Sequence, residues 1–178
     1  MMRSILFLIA TAVLPQTAFG YTLINQMNIK PAVIEWAIDK PGTEAIYGPI
    51  GTWDTSHVTN MGYLFFEGRC PEGSTKNLCR DALIRFNENI SQWDVSKVSV
   101  FTAMFWYCRY FNQDISVWDT ESATDMSFMF WNAQSFNQPI GVWEVDNVHN
   151  MSNMFHMAKS FAQDLSGWQN VALVSGGR

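Results

Sequence analysis

Histidines, cysteines and a recurring acidic position are the residues of this chain whose types could do chemistry. The histidines are His57, His149 and His156. A histidine beside a nucleophile or a carboxylate serves as a general base, and one grouped with thiols or carboxylates holds a metal. Neither grouping is visible here. His57 occupies a position taken further along by Lys97, Ser122 and Asn147, and His149 one taken elsewhere by Thr59, Ser99 and Thr124. The chain has no nucleophile elbow, phosphate loop or zinc-type spacing. Catalysis and a cofactor are therefore not expected; a cleft pairing a histidine with a carboxylate would reverse that reading. The acidic position is Asp54, Asp94, Asp119 and Glu144. Stacked like charges could recruit calcium. The calcium-binding Gly-Gly-x-Gly-x-Asp pattern is missing, however, and the Asp-x-Ser after Trp suits a turn that bonds its own backbone. No metal is expected.

Three cysteines complete the reactive set. Cys70 and Cys79 share a short stretch, Arg-Cys-Pro-Glu-Gly-Ser-Thr-Lys-Asn-Leu-Cys-Arg, and are expected to close it as a disulfide. Cys108 stands where other segments have Gly68, Ala133 and Ala158, so it is expected to be a buried small hydrophobe rather than a reactive thiol.

These positions recur because the chain is periodic. Trp93, Trp118, Trp143 and Trp168 stand 25 residues apart, and Trp53 precedes Trp93 by one period plus 15 inserted residues. Such self-similarity is the signature of repeat architectures. The repeats are 53–92, 93–117, 118–142 and 143–167, with the insertion near 69–83. Met61, Phe101, Met126 and Met151 open an apolar pattern that returns at +3, +4 and +7, which predicts a short helix. Val58, Val98, Ala123 and Val148 mark an extended piece before it. A parallel sheet of these pieces is expected, with neighbours about 4.8 Å apart. Asn87, Asn112 and Asn137 follow a Phe column and are expected to form a buried ladder, which Ala162 breaks. The fold expected is an α/β repeat: a right-handed leucine-rich-repeat-like solenoid of about four 25-residue coils with an N-terminal helical cap over 21–52. Within the cap, Ile29, Val33, Trp36 and Ala37 share one helical face.

The ends carry different information. Residues 1–20 run from Met-Met-Arg through an apolar stretch to Ala18-Phe19-Gly20 and read as a signal peptide cleaved before Tyr21. No later segment offers about 18 apolar residues in a row, so no transmembrane segment is expected in the mature chain. The formal charge of −5 lacks the basic footprint of a nucleic-acid binder. Residues 169–178 read as a truncated fifth coil or tail. Either the array continues, or this open end docks on a partner such as a second copy.

The segments Phe111-Asn-Gln-Asp-Ile-Ser-Val-Trp-Asp119 and Trp53-Asp-Thr-Ser-His-Val-Thr-Asn-Met61 resemble the BspA-like leucine-rich-repeat surface proteins, in their mycoplasma-type branch of unknown function. That family's unit is close to FNQDIS-x-WDVSNVTNM-x-x-MF. Val148-His149-Asn150-Met151, Met154-Phe155, Met126 and Met129-Phe130 keep it. The resemblance implies a leucine-rich-repeat-like coil, export and a surface role in interaction or adhesion. It brings no catalytic residues. The insertion, Ala162 and the short chain depart from the pattern.

The function expected is a secreted or cell-surface binding module for an extracellular protein or glycan. Its candidate surface is the column Phe66, Trp106, Trp131 and His156, five residues past Met61 and its equivalents. If these rings only extend the core, the strip is not a site. A structural or ice-binding array would need a regular threonine face, and Thr59, Ser99, Thr124 and His149 are too irregular for one.

Overall fold

The structure is a computed structural model, and it describes residues 20–168. The expected signal peptide, save Gly20, and the expected tail over 169–178 lie outside the described residues.

The cap forms first along the chain. Helix α1 spans Ile29–Ile38 and buries Ile29, Ala32, Val33, Trp36 and Ala37. Pro31 is tolerated because it sits in the first turn, where its missing N–H has no helical partner to lose. Asn28 fixes the entry: its Oδ1 accepts from Asn25 N at 2.7 Å and its Nδ2 donates to Leu23 O at 2.8 Å. Asp39 ends α1 and starts α2 (Lys40–Tyr47), its carboxylate accepting from Gly42 N. Pro41 in the first turn of α2 and Gly48 after its last complete a defined helix start and stop.

The repeats that follow correct the expected fold class. Among the described residues, no repeat contains the predicted short helix, and no parallel sheet forms. Among the described residues, β-bridge pairing across repeats is confined to a row of single-residue parallel bridges, Asn60–Val100–Asp125–Asn150. The three α-helices lie outside the repeat pattern: two in the cap, and α3 (Lys76–Ile84) in the insertion. The α/β leucine-rich-repeat-like solenoid is therefore not what this chain builds.

The reason is local. In the segment after Phe101, every second residue closes a tight turn: Met104 N donates to Phe101 O at 3.0 Å, Trp106 N to Ala103 O at 3.2 Å and Cys108 N to Phe105 O at 3.1 Å. The alternate residues turn their N–H groups out of the repeat. Phe101 N, Ala103 N, Phe105 N and Tyr107 N donate to the carbonyls of Asp125, Ser127, Met129 and Trp131, at 2.8–2.9 Å. Ala103 (φ 52°) and Tyr107 (φ 62°) reach this geometry in the left-handed region, as do Tyr63, Phe128, Asn132, Asn153 and Met157. A left-handed residue at the third turn position is what a type II turn demands, and it stops an α-helix. Turns closing every two residues still send positions +3, +4 and +7 inward. That is why an apolar pattern of helical spacing arises without a helix.

The core is a set of aromatic columns. Phe65, Phe105, Phe130 and Phe155 stack at 5.4–5.8 Å between centroids. Phe86, Phe111, Phe136 and Phe161 form a second column at 5.9–6.0 Å. Each ring also meets its counterpart in the other column at 3.9–4.0 Å. Trp53, Trp93, Trp118, Trp143 and Trp168 are buried beside them, and the indole N–H groups of Trp93, Trp118 and Trp143 donate to Ile50 O, Ile90 O and Ile115 O at 2.8–3.2 Å. Each indole thus bonds the carbonyl three residues before the preceding tryptophan of the series.

The insertion is more than a loop. Cys70 and Cys79 are joined, and α3 packs against α1, burying Cys79 and Leu83.

Candidate functional site

The proposed strip is continuous. Phe66 and Trp106 meet edge to face at 6.0 Å, Trp106 and Trp131 stack at 5.0 Å and 8°, and Trp131 meets His156 at 4.0 Å. All four side chains are half-buried, so they neither belong to the core nor stand free of it. The turn geometry explains this. The strip residues close turns on the left-handed residues three positions earlier, as Trp131 N does on Phe128 O at 3.0 Å. The segment therefore lifts both side chains to one surface.

The left-handed residues widen the strip, and sequence reasoning missed them. Tyr63 packs on Phe66 at 5.8 Å, and Phe128 lies 5.4 Å from Trp106 and 5.5 Å from Trp131. Tyr107 stacks beside Trp106 at 6.4 Å, with the Arg109 guanidinium 5.4 Å above its ring. The signal was an aromatic residue three positions before the strip at Tyr63 and Phe128 and one position after it at Tyr107. A helix would have spread those residues over its solvent side; the alternating turns gather them.

The rings cover one another's faces. Trp131 lies between Trp106 and His156, so its edges, not its faces, remain for a ligand. Edges suit the packed aromatic anchors of a protein interface, whereas a sugar ring needs an open face.

The other expected residues fall as follows. Cys70 and Cys79 form the disulfide. Cys108 is a free, fully buried cysteine whose sulfur lies 3.8 Å from Phe65 O. Burial pushes its thiol well above the usual range, with the charge of Glu67 adding to the effect. A thiol held protonated is a packing group, not a nucleophile. Its supposed counterpart Gly68 is exposed, because the chain leaves the repeat path there through the tight turn Glu67–Arg69.

Asp54, Asp94 and Asp119 accept from the N–H two residues on, at 3.0–3.1 Å. The Ser56 and Ser96 bonds hold Asp54 and Asp94 below the ordinary carboxylate range. These are turn-closing residues.

His57 Nδ1 lies 3.0 Å from Ser56 Oγ, which superficially suggests a nucleophile and base. The Asp54 carboxylate, whose charge interacts with His57, accepts from the Ser56 backbone N–H, and among the described residues no hydrogen bond to a carboxylate orients the imidazole as a hydrolytic triad requires.

The asparagine ladder forms, but at the surface. Asn87, Asn112 and Asn137 accept through Oδ1 from the backbone of Asn112, Asn137 and Ala162, each at 2.9 Å. The glutamines of the next repeat donate to the same residues' carbonyls. Ala162 receives the last bond and passes none on.

Bonds, bridges and rings repeating from unit to unit make this a repeat protein with one aromatic surface column. The description "Mycoplasma protein of unknown function, DUF285" matches residues 41–70 and 74–175. The chain belongs to that family. No curated protein and no solved structure matches it.

Proposed function

We propose that this chain is an exported binding module that engages an extracellular protein through the aromatic strip Phe66, Trp106, Trp131 and His156. The single observation that carries the reading is the unbroken, half-exposed run of rings across four repeats, with Tyr63, Phe128 and Tyr107 beside it. Aromatic residues and arginine dominate the energetic centres of protein interfaces, and Arg109 lies over this surface. The edge-outward rings favour a protein partner over a glycan. The Cys70–Cys79 disulfide supports an oxidising compartment, as the leader-like first residues do. Binding rather than catalysis fits the protonated Cys108 and the Asp54 bond to the Ser56 backbone.

The test uses panels of immobilised extracellular proteins and of glycans. The double variant Trp106→Ala/Trp131→Ala is expected to weaken capture of a protein ligand at least about tenfold, as loss of two central anchors does. Unchanged binding by the double variant refutes the strip. Strip-dependent capture of glycans alone replaces a protein partner with a sugar.

A further inference from the structure

A cavity of about 350 Å³ opens beside the cap, on residues the strip does not use. Its size is that of a small-ligand site. Tyr21, Tyr47 and Trp53 supply three aromatic walls, Ile24 and Pro49 apolar ones, and Asp54 the only lining side chain of the carboxylate or basic kind. The Tyr47 and Trp53 rings meet at 5.9 Å and 59°, forming a corner rather than a flat stack. Tyr21 closes on them because Gly48 lets it: a Cβ at Gly48 would stand 3.1 Å from the Tyr21 ring. The preceding segment is pinned by Thr22 N donating to Ile46 O at 2.8 Å. The Trp53 indole N–H is already given to Gly48 O at 2.9 Å, so it offers no donor to a ligand.

The chemistry of these walls is selective. An anion meets the Asp54 carboxylate and no cationic side chain in the lining. A primary ammonium brings three N–H donors, and a mostly apolar cavity leaves some of them unpaired. A quaternary ammonium has no donor to leave unpaired. Its diffuse positive charge is attracted to aromatic faces and to a nearby carboxylate. Asp54 keeps its charge, since its Oδ1 accepts the Ser56 N–H at 3.0 Å. Asp94 adds negative potential there, and His57 is the basic group that acts on Asp54. Glu35 adds a further negative charge felt at Tyr47.

We infer that the cavity walled by Tyr21, Tyr47, Trp53 and Asp54 binds a quaternary ammonium group of the choline type. Free choline and the choline headgroup of a lipid share this chemistry.

Isothermal titration of the purified protein decides the matter. Choline is expected to bind at least about tenfold more tightly than its uncharged tert-butyl isostere 3,3-dimethylbutan-1-ol and than ethanolamine. Asp54→Asn keeps the acceptor for Ser56 and removes the charge, so the fold survives while choline binding weakens about fivefold. Tyr47→Leu, checked for folding by circular dichroism, weakens it about tenfold. Trp106→Ala/Trp131→Ala leaves it unchanged, which separates this site from the strip. Cosedimentation with phosphatidylcholine vesicles, but not phosphatidylglycerol vesicles, released by choline, assigns the headgroup; choline binding without cosedimentation assigns the free molecule. No heat with choline, equal binding of the isostere, or full affinity in Asp54→Asn overturns the inference.

Discussion

Replacing Met157 separately by glycine and by alanine gives opposite signs for a turn-built and a helical repeat. Met157 sits at φ 59° and is 47% exposed. Both replacements remove the same side chain, so the difference between them reports the backbone alone. In the left-handed region an L-residue carries about 1–2 kcal/mol of strain that glycine lacks. Glycine gives back about 0.5–1 kcal/mol through the greater freedom of its unfolded chain. The glycine variant should therefore be the more stable by about 0.5–1 kcal/mol. Had residues 151–158 formed the helix that their apolar spacing suggests, alanine would win by about 1 kcal/mol. The internal control is Leu78, 55% exposed within α3, where Leu78→Ala should exceed Leu78→Gly by about that amount. Urea unfolding at equilibrium measures all four variants, with midpoints compared at a common slope. Alanine winning at both positions refutes the alternating-turn account of the repeat.

Two further outcomes follow from the same geometry. Phe111 is fully buried, 4.0 Å from Phe105 and 5.9 Å from both Phe86 and Phe136, so Phe111→Ala should cost about 3–5 kcal/mol in urea unfolding. Asp54, Asp94 and Asp114 are held below the ordinary carboxylate range mainly by bonds from Ser56, Ser96 and Ser116. The stability they contribute is complete above their unfolded value, about 3.9, and is lost as pH falls through their lower folded values. These groups are solvent-screened, so the loss is about a few tenths of a kcal/mol each, and Ser96→Ala should flatten the Asp94 part of the acid limb in urea titrations from pH 6 to 2.

Periodicity made the columns legible from sequence, because stacking demands the same residue size at the same position. The Phe65 and Phe86 columns, the tryptophans and the asparagine bonds follow from that rule, and the Cys70–Cys79 pair follows instead from two cysteines sharing one short inserted stretch. Secondary structure did not follow. The positions of Met61, Leu64 and Phe65 fit either a helix or a run of turns, and what separates them is the φ of Tyr63, a non-glycine residue that gives no left-handed signal in sequence. The same uncertainty hid Tyr63, Tyr107 and Phe128 from the strip. The cavity was hidden for another reason: Tyr21 and Tyr47 belong to no repeat, and only the folded cap brings them to Trp53.

The outward N–H groups impose a metre on the gene. Phe101 to Asp125 and Met126 to Asn150 span the same 24 residues, and the asparagine bonds span 25. Duplicating or deleting one whole 25-residue unit leaves every such bond with a partner of the same kind. Any other length breaks the count between that unit and the next unless the surplus is set aside. The 15 extra residues of the first unit are set aside in this way: Met61 N still finds Val100 O at 2.9 Å, while the surplus is tied off by its own disulfide and helix α3. The number of repeats is thus free to drift by whole units while the contacts between them stay fixed.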